Sequence, residues 1–440
     1  MRKITLVTLC LIITLCATTC HALKIEITKG EVRPDPIAIT DFHAEDSSLQ
    51  SEGKSIADVV GSDLEGSGLF ALLSKVSYIQ KDESVIKDGP RFADWRVISA
   101  RFLVAGSIKS DGGNKITIEF RLYDVIKGEK LLALAVSGEQ SKWRKIAHKV
   151  ADEIYTRVTN EAGYFCTQIA FAKLLNPKSK ERRKQIMRVD QDGDGMESLT
   201  DGKYLVLTPR YSADGKKIVY LAYVDGKAHV YMLDLASRHS TLVNDFGQMG
   251  FGMSFAPRFS ADSTEVVMSL VKKGSSAIYA QNLQTKKLTR LTDHVSIDTS
   301  PCFSPDGQQI VFTSDRGGKE QLYVMNHQGQ NVRRISYGDG KYSQPVWSPR
   351  GDWIAFTKQV AGQFYIGVIK PDGTDERLIA QGYLVEGADW APNGRYLIFT
   401  KEQGAGRSQV YMMDLTGRHQ RAITPPDTHA SDCSWSPSIK

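Results

Sequence analysis

The last eight residues, "CSWSPSIK" (Cys433–Lys440), read as the opening of a unit rather than its end. The same phrase recurs upstream as "WAPNG" from Trp390, "WSPRG" from Trp347 and "FSPDG" from Phe303. Weaker copies are "FSADS" from Phe259 and "YSADG" from Tyr211. The leading aromatics Tyr211, Phe259, Phe303, Trp347, Trp390 and Trp435 are spaced 48, 44, 44, 43 and 45 residues apart. A period of about 40–50 residues marks a propeller or a solenoid.

Within one unit, Cys302 to Ser336, every feature is β. Pro-Asp-Gly makes a tight turn, "QQIVFTS" and "QLYVMN" are short β-branched and aromatic runs, and "HQGQN" is a second turn before "VRRIS". No apolar period of 3.6 persists for three turns, which argues against helical repeats. Four strands per unit make one propeller blade. Upstream, Cys166 to Thr200 aligns with the same unit but lacks its opening strand and first turn. "CSWSPSIK" is such a strand, so the two ends of the region complete a sixth blade. Closure removes the edge strands of an open array, and the polar capping repeats of a solenoid are not seen. The expected fold is a six-bladed all-β propeller over residues 164–440, closed by the C-terminal strand, behind an N-terminal α/β domain.

That first domain is expected over residues 23–163. "PIAITDF" (Pro36–Phe42) is a short strand, and Ile56, Val59, Val60 and Leu64 recur at helical spacing. "ARFLVAGSIKS", "KITIEFRLYDV" and "KLLALAVSG" are strands separated by glycine turns. A second amphipathic helix carries Ile146, Val150, Ile154 and Val158, with Ser141 as its cap.

The 440 residues exceed one compact core, and 41% apolar with 24% charged residues is globular. Residues 1–22, "MRKITLVTLCLIITLCATTCHA", have the basic start, short apolar run and small-residue end of a secretory signal cleaved after Ala22. The apolar run is too short to span a bilayer. The expected product is exported and soluble. Removing Arg2 and Lys3 from the formal +6 leaves about +4, too mild to indicate nucleic acid. The remaining cysteines, Cys166, Cys302 and Cys433, are scattered and odd in number, so free buried thiols are expected.

Few motifs in the chain could carry chemistry. Asp190, Asp192, Asp194, Gly195, Ser198 and Asp201 fall on calcium-loop positions. The repeat alignment places the same residues on a hairpin turn, which also selects Asp and Gly; Asp190, Asp192 and Asp194 stay as weak metal candidates. "GKS" (Gly53–Ser55) lacks the upstream glycine of a phosphate loop, and there is no nucleophile elbow or His-Glu-x-x-His. The basic run Lys178–Lys184 reads as a solvated hairpin tip. No catalytic residue and no cofactor is expected. Loops entering each opening strand should line one propeller face, a common binding surface. Their exposed members are expected to include Met253, Ser254, Asp298, Thr299, Tyr342, Gln344 and Glu386. "LKIEITKG" (Leu23–Gly30) alternates like a strand able to join a partner's sheet edge.

Taken together, the leader, "LKIEITKG", "PIAITDF", "SGLFALL", "FADWR" (Phe92–Arg96), "LVAGSI" (Leu103–Ile108) and the six blade motifs resemble the TolB family, periplasmic propellers of the Tol–Pal system. The resemblance covers essentially the whole mature chain. It implies a monomeric, non-enzymatic periplasmic adaptor that supports outer-membrane integrity and envelope constriction in cell division. It implies that the propeller face binds the outer-membrane lipoprotein Pal, through which the protein is peripheral to that membrane. It also implies that the mature N-terminal strand, Leu23, Lys24, Ile25, Glu26 and Ile27, binds TolA. By the same resemblance Met253, Ser254, Ala256 and Thr299 fall on the Pal-binding rim. The alternatives are the propeller of a peptidase-like protein, which requires a further hydrolase domain, and a metal- or carbohydrate-binding propeller.

Overall fold

The structure is a computed structural model that describes residues 33–404 and 406–438. The leader and the strand expected over Leu23–Ile27 lie outside the described residues.

The first domain is built on a sheet of β1 (Asp35–Ile39), β2 (His43–Ala44), β3 (Phe70–Leu72), β4 (Phe102–Ser110), β5 (Lys115–Asp124) and β6 (Glu129–Glu139). Its order is β3-β1-β4-β5-β6, with β2 beside β4. The strand period of two splits β4 between two cores. Phe102 and Val104 face helices α1 (Gln50–Gly66) and α4 (Trp143–Thr159). Leu103 and Ala105 instead join Val85 and Trp95, from α2 (Asp82–Lys87) and α3 (Phe92–Val97). The stripe Ile56, Val59, Val60 and Leu64 is buried as expected. Gly53 of "GKS" lies inside α1, where a Cβ would sit 2.2 Å from the Phe42 carbonyl oxygen. That glycine serves helix-to-strand packing. Ser141 does not cap α4: a 3-10 turn over Gln140–Lys142 feeds into the helix, and the Trp143 N–H bonds the Gln140 carbonyl. Backbone satisfies the entry that a serine was expected to serve.

From Leu205 onward come five four-stranded antiparallel sheets, opening on Leu205–Tyr211, Met253–Phe259, Asp298–Phe303, Lys341–Trp347 and Val385–Trp390. The sixth has the order Ala430–Trp435, β7 (Gln168–Leu175), β8 (Arg183–Asp190), β9 (Glu197–Ser198). The final strand pairs antiparallel with β7, Ala430 opposite Lys173 and Trp435 opposite Ile169. The ring is therefore closed as the repeat predicts.

Each opening strand ends in the motif turn. In blade three Ser304 Oγ donates to Asp306 Oδ1 at 2.5 Å and accepts the Gln309 N–H at 2.9 Å, while Asp306 accepts the Gln308 N–H. These bonds hold the Asp306 carboxyl below its usual range, the serine bond contributing most. Gly307 completes the turn at φ 70°, a conformation that favours glycine.

Antiparallel order puts these motif turns on one face of the ring and the strand entries on the opposite face, here called the rim. The first domain docks on the turn face. Tyr396 donates to the Ser67 carbonyl at 2.9 Å, Asn393 to the Ala162 carbonyl at 3.3 Å, and Arg395 pairs with Glu161. One apolar core runs through the junction: Tyr164 stacks at 4.5 Å from Tyr396 and meets Trp435 edge-on at 5.9 Å. Among the described residues no helix is long and apolar enough to cross a membrane.

Candidate protein-binding site

Every opening strand carries one bulge. The pairing register shifts between Leu207 and Arg210, Phe255 and Arg258, Thr299 and Cys302, Ser343 and Val346, Glu386 and Asp389, and Ser431 and Ser434. At each shift one residue takes positive φ: Thr208, Ala256, Ser300, Gln344, Gly387 and Asp432. A bulge adds a residue, bends the strand and re-aims its side chains. Four of the six are followed by proline (Pro209, Pro257, Pro301, Pro345), which a bulge tolerates because its ladder is already broken. Six such bends in register surround a central tunnel.

Above this ring lies the rim. Met253 is exposed, and Ala256, Thr299, Gln344 and Glu386 are half-buried. Three residues expected to be exposed are not. Ser254 is buried and donates to the Ala228 carbonyl at 3.1 Å. Asp298 is fully buried, held by Arg316 at 3.0 Å and by Ser296 Oγ at 2.9 Å. Tyr342 is buried beneath Lys358 and hydrogen-bonds Glu376 at 2.8 Å. The cause is strand alternation: adjacent residues on an opening strand point to opposite sides, so a contiguous run cannot all reach solvent. Gln344 also has a structural task, its Oε1 accepting from Thr357 Oγ1 at 3.0 Å and from the Gly387 N–H at 2.9 Å in the next blade. Glu386 titrates above the ordinary glutamate range because its carboxyl is partly withdrawn from water and because Asp432 stands near.

Residues missed in the sequence complete the surface. The blade-to-blade connections expose Met249, Val295, Ile297, Tyr337 and Tyr383, with Val295 at 92% and Tyr383 at 74% of full exposure. They share the rim with Met253, whereas the first domain occupies the other face. Their signal was an apolar residue in a connection otherwise rich in Asp, Gly and Ser. Lys184, expected in a solvated tip, instead reaches Ser431 Oγ at 2.6 Å and Asp432 at 3.4 Å, tying β8 to the closing strand.

The stretch with calcium-loop spacing is a hairpin turn between β8 and β9, where the repeat alignment puts it. Its carboxylates are dispersed: Asp190 accepts from Gln168 Nε2 at 2.9 Å, and Asp192 and Asp194 both pair with Arg144. Asp192 instead approaches Asp63 and His148, the one group among the described residues with metal-like spacing. Arg144 already holds the Asp192 oxygen, and the Asp63 oxygen lies 2.6 Å from His148 Nδ1. The trio forms an ion-pair network between the domains. Cys302 and Cys433 are buried free thiols, and Cys166 is half-buried; burial pushes all three pKa values up.

Family models match the chain as the TolB amino-terminal domain over residues 23–131 and the TolB beta propeller domain over residues 155–439. The Tol-Pal system protein TolB of Paramagnetospirillum magneticum is 55% identical over 423 residues, covering 95% of this chain and 93% of that one. The crystal structure of TolB from Acinetobacter baumannii superposes with a TM-score of 0.82 at 25% identity, covering 92% of this chain and 97% of that one. A nidogen/laminin complex matches 62% of this chain and 100% of its own at a TM-score of 0.51 and 10% identity, a likeness of fold alone.

Proposed function

The chain belongs to the TolB family, and from that premise we propose that it is a non-enzymatic periplasmic adaptor of the Tol–Pal system. Its rim binds Pal, its mature N-terminal segment from Leu23 binds TolA, and the pair of contacts supports outer-membrane integrity and constriction. The observation that carries this reading is the exposed apolar set Met249, Met253, Val295, Ile297, Tyr337 and Tyr383 on the face that the first domain leaves open. Large apolar side chains repeated around one uncovered face are candidate contacts for a protein partner.

The closing strand offers a physical route between the sites. It begins at the rim beside Lys184 and ends at Trp435, whose Nε1 donates to Thr167 Oγ1 at 2.7 Å. A partner that favours one position of this strand biases the linker from α4, and by linkage the two partners alter each other's affinity equally.

The test is calorimetric titration of a soluble Pal domain into the protein beginning at Leu23. Met253→Arg with Thr299→Arg is expected to weaken binding at least about tenfold at unchanged melting temperature. Absence of binding to the unaltered protein overturns the reading. Equal Pal affinity with and without residues 23–30 removes the coupling alone.

A further inference from the structure

Level with the bulges of four opening strands lies a cavity of about 50 Å³ lined by Thr208, Arg210, Ala256, Arg258, Ser300 and Gln344, with prolines between them. Two guanidinium groups and no carboxylate line it. Arg210 is buried and spends one nitrogen on the Pro209 and Cys433 carbonyls, each at 2.8 Å. The Arg258 side chain is 16% exposed, and its guanidinium makes no hydrogen bond to any described residue. Asp389 is the nearest anion, but its Oδ1 stands 3.7 Å from Arg258 and its Oδ2 accepts the Trp435 N–H at 3.0 Å. Thr208 Oγ1, also on this lining, is buried without a partner.

An arginine does not shed its proton to escape burial, and the largely buried Arg258 guanidinium has only a distant anion, Asp389 at 3.7 Å, and no hydrogen-bond acceptor among the described residues, an arrangement that a closer carboxylate would improve. The site therefore has unused donors and a net positive charge, and it shares Ala256 and Gln344 with the rim. At roughly 10–15 Å³ for one water, it has room for about three small polar atoms, the size of a carboxylate. We propose that this cavity is a carboxylate-accepting site in which Arg258, backed by Arg210, receives an acidic side chain inserted by the protein docked on the rim. The inference rests on the rim reading above and adds the chemistry of the partner's central contact.

Three proteins are compared: unaltered, Arg258→Gln and Arg258→Lys. Each is titrated with the soluble Pal domain, and each is melted in sodium acetate and in sodium chloride at equal ionic strength. Arg258→Gln is expected to bind about tenfold more weakly, and Arg258→Lys within a few-fold of the unaltered protein. Acetate is expected to compete with the Pal domain and to raise the melting temperature of the unaltered protein over chloride, but not that of Arg258→Gln. Equal affinity of the unaltered and Arg258→Gln proteins overturns the assignment. If Pal binds neither protein, the rim reading fails, and the acetate melts then decide the tunnel site separately. Acetate stabilisation that is absent, or retained in Arg258→Gln, overturns the site. Acetate stabilisation that Arg258→Gln abolishes, with no Pal binding, overturns the protein side chain as its source and leaves a site for free carboxylates.

Discussion

His148 Nδ1 lies 2.6 Å from Asp63 Oδ2, and its other nitrogen faces Asp192 Oδ2 at 3.7 Å with no hydrogen-bond partner. The imidazole, on α4, thus stands between a carboxylate of the first domain and one of the propeller. Gln191 Nε2 reaches Asp63 Oδ1 at 2.8 Å, and Arg421 reaches the Gln191 carbonyl at 3.1 Å, so the same node joins four chain segments.

Burial opposes charge on His148, but the bond and charge of Asp63 outweigh it, and its pKa lies above the ordinary histidine value. A raised folded-state pKa contributes stability that is complete below the unfolded pKa, near 6.5, and is lost as pH rises through the folded value. The melting temperature is expected to fall as pH rises above about 6.5. His148→Gln should cost about 3–5 kcal/mol at about pH 6, where it takes the cationic partner from the buried Asp63 and leaves only the Gln191 bond, and less in alkali. An unchanged pH slope in the variant rules this out.

Glu161 should matter far more to Arg395 than to Arg350. It receives Arg395 Nε at 2.7 and 2.9 Å, a bond that raises the arginine pKa, and both side chains are largely buried. Arg350 stands 3.4 Å away and 40% exposed. Arg395→Ala is expected to cost about 2–3 kcal/mol, and Arg350→Ala less than about 1 kcal/mol, read from denaturant midpoints. Equal losses would contradict the geometry.

Ring closure depends on Trp435, which is 4% exposed and packed on Tyr164. Trp435→Ala should cost about 3–5 kcal/mol. Ending the chain at residue 428 should abolish the cooperative melt, since β7 loses its neighbour. A truncated chain that melts like the whole one would refute closure by this strand.

Calcium and chelator are expected to leave the melting temperature unchanged, because Asp190, Asp192 and Asp194 each serve protein partners. A calcium-dependent rise would return the hairpin to the status of a metal loop.

The propeller was legible because each blade repeats its turn chemistry, and the unpaired motif at Cys433 revealed the split blade. Rim exposure was less legible. Ser254, Asp298 and Tyr342 lie on the same short stretches as Met253, Thr299 and Gln344, and only the strand phase and the bulge decide which side chain turns outward. That bulge has a trace in the sequence, proline two residues before the aromatic in four blades, whose meaning needs the paired neighbour. The His148 node was beyond reach, since Asp63, His148 and Asp192 share no spacing and meet only when the domains do.

Gln168 and Ser436 hydrogen-bond across 268 positions of chain. In vectorial synthesis the closing strand emerges after every other described strand, so β7 waits for its partner until nearly all the chain is available. A rim complete at all six blades and a seated Trp435 are then attained in the same event. Presentation of the finished rim is thus gated by the last described strand rather than by any earlier blade.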